Sequence, residues 1–292
     1  GWKNFISGSC YSSMLGGSTN RISGSTCFSA IVGGRKNHIH NSNDSIIAIG
    51  CDNKLLDGSS FSIILGGAGN LSEQQLSLIG GGRENDILGI GKVNAILTGI
   101  RNTITCGGSS LILNGDGNII SDGGGSTIIN GRNTIISSSD NSMAMGCCNV
   151  INKSEYSQIA GGCKNFITGS TTFTNGLNNI VGGCGNLLHG DISFGSTDVK
   201  NEGNVILGGS KNTASGDHNS ILGGRCNILK GKESNIAGGL ENEANGIQNS
   251  IGGGCCNTIL SADVGTIGGG DKNQINTGNY STIVGGRGNC LT

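Results

Sequence analysis

Ser220–Leu229 reads SILGGRCNIL, and the same phrase returns as SIGGGCCNTI at Ser250–Ile259 and as TIVGGRGNCL at Thr282–Leu291. In each copy an Asn follows a Gly by three residues. Used as a marker, that Asn recurs along the chain at Asn20, Asn37, Asn53, Asn70, Asn85, Asn102, Asn118, Asn149, Asn165, Asn212, Asn227, Asn242, Asn257, Asn273 and Asn289. Further copies fall at Asn4, Asn133, Asn179 and Asn186, with Asp198 as a substitute. Seventeen of the 19 intervals span 14 to 17 residues, and the two exceptions flank Asn186. Only one of Asn179 and Asn186 is therefore expected to keep the marker position. Self-similarity at such a period is the signature of a repeat architecture.

Three further columns are tied to the marker. Gly stands three residues before it, with the copy at Asn133 departing; an apolar residue, mostly Ile, stands six before; an aliphatic residue stands two after, except at Ser72 and Lys200. Short runs of alternating Ile and small polar residues read as strands. Gly supplies the positive φ of a tight corner between them. One repeat alone cannot bury its Ile pair, but stacked repeats can, through parallel ladders about 4.8 Å apart. The expected fold is all-β: a parallel β-solenoid, or β-roll, of about 16-residue coils with two short strands each. Stacking places each marker Asn above the next, where the amide can both donate and accept along the axis. Residues 1–292 read as a single continuous repeat region. Neither "GWKNFI" nor "GGRGNCLT" departs from the pattern. This predicts a fragment of a longer chain, or end-to-end assembly with another copy, because solenoid ends need caps.

The position five before the marker should point outward and be polar. It is instead Leu15, Val32, Leu65, Leu97, Leu113, Val181, Leu207, Leu222 and Val284, with Ala or Gly in most other copies. An apolar stripe of this kind marks an interface between rods, most simply a parallel homotrimer. The alternative is an interior wide enough to bury both columns within one chain.

SIIAIGCDNKLLDG (Ser45–Gly58) and SMAMGCCNVI (Ser142–Ile151) resemble the head-domain repeats of trimeric autotransporter adhesins, which fold as a left-handed parallel β-roll of three chains. The doubled Gly with Asn is also similar to repeat regions of phage and giant-virus fibre proteins. The family's repeat is shorter and its ladder residue is commonly Ser. The resemblance implies trimers, extracellular exposure on a cell or virion surface, and adhesion to a glycan or host-surface receptor.

Composition removes several classes. Of 292 residues 57 are Gly and none is Pro, which excludes collagen. No apolar run is long enough to span a membrane, and a net charge of −1 gives no global attraction to nucleic acid. Around GGAGN and GDGN the period is too long for calcium repeats and Asn stands where a carboxylate should be, and the four His residues show no metal spacing. No metal or cofactor site is expected. Eight of the 12 Cys lie in the corner between the Gly and the Asn, and these are not zinc spacings. Cys10 with Cys27, and Cys147 with Cys163, share a phase and are candidate disulfides, with stacked free thiols as the alternative. The same corners hold eleven basic residues against five acidic ones, a stripe suited to acidic glycans or merely solvated. The expectation is a structural and adhesive rod of an extracellular fibre, not an enzyme. The rivals are a β-helical glycan-degrading spike, which needs two facing carboxylates, and a filament subunit without a ligand.

Overall fold

The computed structural model describes residues 1–169, 177–189 and 203–292. They form an all-β parallel β-solenoid of about 17 coils, each of about 16 residues, with no helix. Contacts divide the chain into two compact units, Gly1–Asn141 and Ser142–Thr292. In both, each coil supplies a leading strand before the marker corner and a trailing strand after it.

In the first unit the leading strands Ala30–Ile31, Ile46–Ile47, Ile63–Ile64 and Leu78–Ile79 pair in parallel, so Ile31, Ile47, Ile64 and Ile79 stack in register. The trailing strands stack Ile22, Ile39 and Leu55 in the same way. These side chains are fully buried. Each contributes about 1.5–3 kcal/mol by leaving water. One coil breaks the column: Ser72 is buried in its place and donates to the Gln74 carbonyl. Gln74 is buried beside it, and its amide oxygen accepts a hydrogen bond from Asn94.

The second unit keeps Ile in the leading column, at Ile159, Ile180, Ile206, Ile221 and Ile236. Its trailing column alternates in size, running Leu188, Ala214, Leu229, Ala244, Ile259. Its trailing strands Thr213–Asp217, Ile228–Lys232 and Glu243–Ile247 are five residues long, against two or three in the first unit.

The corner explains its Gly. Gly34 has φ +88°, and a Cβ there would lie 2.1 Å from the Gly50 carbonyl oxygen of the next coil. No side chain fits that approach.

Two marker assignments change. At the irregular copy Thr134, not Asn133, takes the buried position: its N–H donates to Asn118 Oδ1 at 3.1 Å, while Asn133 is exposed with φ +49°. Thr134 also restores Gly131 to the place three residues before. In the second unit Asn186 keeps the position, donating to Asn165 Oδ1 at 3.1 Å, and Asn212 follows it at 3.0 Å. Asn179 lies instead on a leading strand opposite Gln158 and Val205. Asp198 and Lys200 lie outside the described residues.

Candidate functional site

The Asn column is a hydrogen-bond clamp. Asn102 is fully buried; its Oδ1 accepts the Asn118 N–H at 3.1 Å, and its Nδ2 donates to Asn85 Oδ1 and to the Gly115 carbonyl, both at 3.0 Å. The backbone part recurs through both units, for example from Asn20 to Asn37 to Asn53 and from Asn242 to Asn257 to Asn273 to Asn289. Amide-to-amide bonds join only some rungs, such as Asn70 to Asn53 and Asn227 to Asn212. The recurring contact ties each amide oxygen to the next coil's backbone, which satisfies N–H groups that the corner would otherwise bury unpaired.

A second ladder at the opposite corner is a finding beyond the sequence reading. In the first unit Ser29, Ser45, Ser62 and Ser77 each donate their N–H to the preceding Ser Oγ, at 3.0–3.3 Å. In the second unit Asn178, Asn204 and Asn219 do the same work: Asn204 N–H reaches Asn178 Oδ1 at 3.2 Å, and Asn219 N–H reaches Asn204 Oδ1 at 2.9 Å. Gly216 and Gly246 stand three residues before Asn219 and Asn249, so G-x-x-N occurs at both corners of these coils. A Gly four residues after the marker, as Gly216 after Asn212 and Gly246 after Asn242, is the sequence signal for it.

The leading strands carry the apolar stripe outward. Val32, Leu65, Leu97, Leu207 and Leu222 are 40–51% exposed, Leu15 and Val284 more so, and Leu113 is half-buried. A wide interior holding both columns is thereby excluded. In the first unit the residue two positions earlier also faces out and is also apolar: Ala30, Ile46, Ile63, Leu78, Ala95 and Leu111. Residues 30–113 thus present two parallel apolar columns on one flat sheet face. At the matching positions the second unit has Gln158, Asn179, Ser220, Asn235, Ser250, Thr266 and Thr282, with Met143 and Val205 as the apolar members.

At the marker corner the charges are partly paired. Arg101 grips Asp116 of the next coil through both carboxylate oxygens at 2.8–3.2 Å. Arg287 Nε lies 3.0 Å from Asp271, Arg83 lies 3.6 Å from Glu84, and Lys54 lies 3.5 Å from Asp52. These acids answer their neighbours, while Arg35, Lys36, Arg132, Lys164, Lys211 and Arg225 carry no ion pair among the described residues. The unpaired surplus on this edge is positive.

All 12 cysteines are free thiols. Cys10 stacks on Cys27, and their shared hydrogen bond is the main cause that raises the Cys10 thiol above its ordinary range. Cys147 stacks on Cys163, and Cys163 on Cys184. The closest sulfurs of that column are Cys163 and Cys184, 3.4 Å apart, with Cys147 turned toward its neighbour Cys148 at 3.2 Å. Cys255 and Cys256 lie 2.9 Å apart; the hydrogen bond with Cys255, then burial and the Glu241 and Asp271 charges, push the Cys256 thiol up to about 11.

Two titrating groups sit on the trailing-strand face of the first unit. His38 stands in register between Arg21 and Lys54. Burial first, then Arg21, His40 and Lys54, lowers its basicity. Asp86 is raised by burial, then by Glu73 and Glu84. These carboxylates stand in mutual influence on the exposed side of the sheet, with Glu73 on one coil and Asp86 on the next. No protein-family model matches the sequence, and a search of the curated proteins finds no match to it.

Proposed function

We propose that this chain is a building segment of an extracellular fibre on a cell or virion surface, in which copies pack side by side as parallel rods. The observation that carries the reading is the two-column apolar face of residues 30–113, half-buried to exposed in the single chain although the interior is already filled by Ile. Contiguous apolar surface of this extent is rare on a monomer and common at interfaces. A third-turn rotation of three chains about a common axis would cover it, as in the adhesin head repeats that Ser45–Gly58 resembles. The role in adhesion rests on the positive edge, whose unpaired Arg and Lys residues suit an acidic glycan at a host surface.

The test is the mass of the chain in solution. Multi-angle light scattering should give an oligomer that Leu97→Asp dissociates without loss of β-structure by circular dichroism. An unchanged monomer in both proteins would remove the bundle. Binding to a sulfated polysaccharide that weakens with salt tests the adhesive part. Shortening of that polysaccharide, abolished by Asp86→Asn, would instead favour a glycan-degrading spike.

A further inference from the structure

We propose that Cys255, Cys256 and Asp271 form a binding site for a thiophilic divalent cation such as Zn2+, assembled by the stacking of two coils. Among the described residues one group of three metal-ligating side chains converges, and it is this one, with all ligand atoms within 4.8 Å of one another. The three come from two adjacent columns of the marker corner. Cys255 and Asp271 stack directly in one column, and Cys256 occupies the next. Glu241, on the preceding coil, brings a carboxylate oxygen to 3.8 Å from the Cys256 sulfur and stands as a fourth donor.

The donor chemistry selects the metal. Two thiolates with one or two carboxylates suit Zn2+ and its softer relative Cd2+, and are a poor set for Ca2+ or Mg2+, which take all-oxygen shells. Charge also fits. Two thiolates and the Asp271 carboxylate bring three negative charges against the cation's two, and Arg287 Nε, 3.0 Å from Asp271 Oδ2, offsets the remaining one. Binding releases both thiol protons to solvent and changes no oxidation state.

The same two sulfurs are badly placed for the competing fate, a disulfide. Neighbouring residues hold their Cα atoms about 3.8 Å apart, below the range of about 4.4–6.8 Å in which disulfides close without strain. A tetrahedral cation asks only that the sulfurs separate slightly, by side-chain rotation at a half-buried corner. The corner itself tolerates this, since Ser18 and Ser210 hold the position of Cys255 in other coils. The pair Cys147–Cys148 lacks the carboxylates: its coil neighbours are Cys163 and Lys164.

The test is Cd2+ titration of the reduced chain, followed by thiolate-to-metal charge-transfer absorbance. Changing Cys10, Cys27, Cys147, Cys148, Cys163 and Cys184 to Ser in every sample removes the other stacked or paired thiols. One equivalent should bind, Zn2+ should displace it, and the melting temperature should rise because the cation ties adjacent coils. Cys255→Ser with Cys256→Ser should abolish the absorbance band. Asp271→Asn, a change of one exposed-edge oxygen that leaves the fold intact by circular dichroism, should weaken binding at least tenfold. A band that survives the double Ser change, an affinity indifferent to Asp271→Asn, or no band at all would each overturn the site.

Discussion

Residues 30–113 and residues 205–283 share a buried leading column and wear different exteriors. Both stack Ile in the leading column, fully buried or nearly so. Outside, the first stretch sets Ile46, Ile63, Leu78 and Leu111 toward solvent, where the second sets Ser220, Asn235, Ser250 and Thr266. A strand alternates its faces, so the inward position can be held constant while the outward one drifts or is selected separately. The interior therefore specifies a solenoid, and the outward columns specify what lies against it. The opposite corner differs too. Ser rungs serve most of the first unit, with Asn94 among them, and Asn rungs much of the second, where coils of 15 residues leave no bulge and the longer amide reaches two carbonyls, as Asn219 reaches Ser215 and Gly231 at 2.9 and 2.8 Å.

If the shared interior carries the fold equally in both regions, matched core truncations should cost the same. Ile96→Ala and Ile251→Ala, both in the leading column, should each destabilise their own region by about 2–5 kcal/mol. Hydrogen exchange, which reads local opening, should show the loss confined to neighbouring coils. A clearly smaller loss in one region would break the equivalence.

The ladder should come next. Asn102→Ala leaves the buried Asn118 N–H without its acceptor and removes two donor bonds. The expected cost is about 3 kcal/mol, from about 1–3 kcal/mol per buried group left unsatisfied. Asn102→Thr should recover part of it, because Thr134 already occupies a buried place in this column. Urea unfolding of the two variants decides the point: equal midpoints would mean that the hydroxyl does not substitute.

The exteriors give a smaller and opposite pair. Leu97→Asp should weaken self-association at least tenfold, about 1.4 kcal/mol. Ser250→Leu with Thr266→Leu should strengthen it by extending the apolar columns into the second region. Sedimentation at several concentrations measures both, and a Ser250→Leu chain that associates no better would confine the interface to the first unit.

The mildest contrast is in pH. His38 is less basic folded than unfolded, so its contribution is present above the ordinary imidazole range and is lost as pH falls through the lowered value. Amides around His38 should exchange faster under mild acid, and His38→Thr should flatten that dependence. Asp86 runs the other way: raised in the folded chain, it favours the fold at low pH and the benefit is lost as pH rises through its folded value. Asp86→Asn should therefore stabilise its coil at neutral pH. Acid-insensitive exchange near His38 in the unaltered chain would remove this contrast.

What sequence alone determined is the part of the molecule ruled by local periodicity. The Gly three before the marker, the Ile six before and the aliphatic two after define two strands, a corner and a stacking direction, because a coil of this length has one way to bury two Ile. The outward stripe at Leu65, Leu97, Leu207 and Leu222 was legible for the same reason. What tertiary stacking alone decided is which residue stands above which where the spacing slips. Asn133 is the Asn nearest the expected spacing, yet Thr134 completes the ladder, since the bond to Asn118 depends on the coil below. Asn186 prevails over Asn179 on the same ground. The Ser and Asn rungs of the opposite corner were hidden by coils of unequal length. Cys255, Cys256 and Asp271 have no metal-ligand spacing along the chain, because their nearness runs across coils. Parallel stacking converts a separation of 16 residues into about 4.8 Å, and only the register of the coils says which distant side chains it brings together.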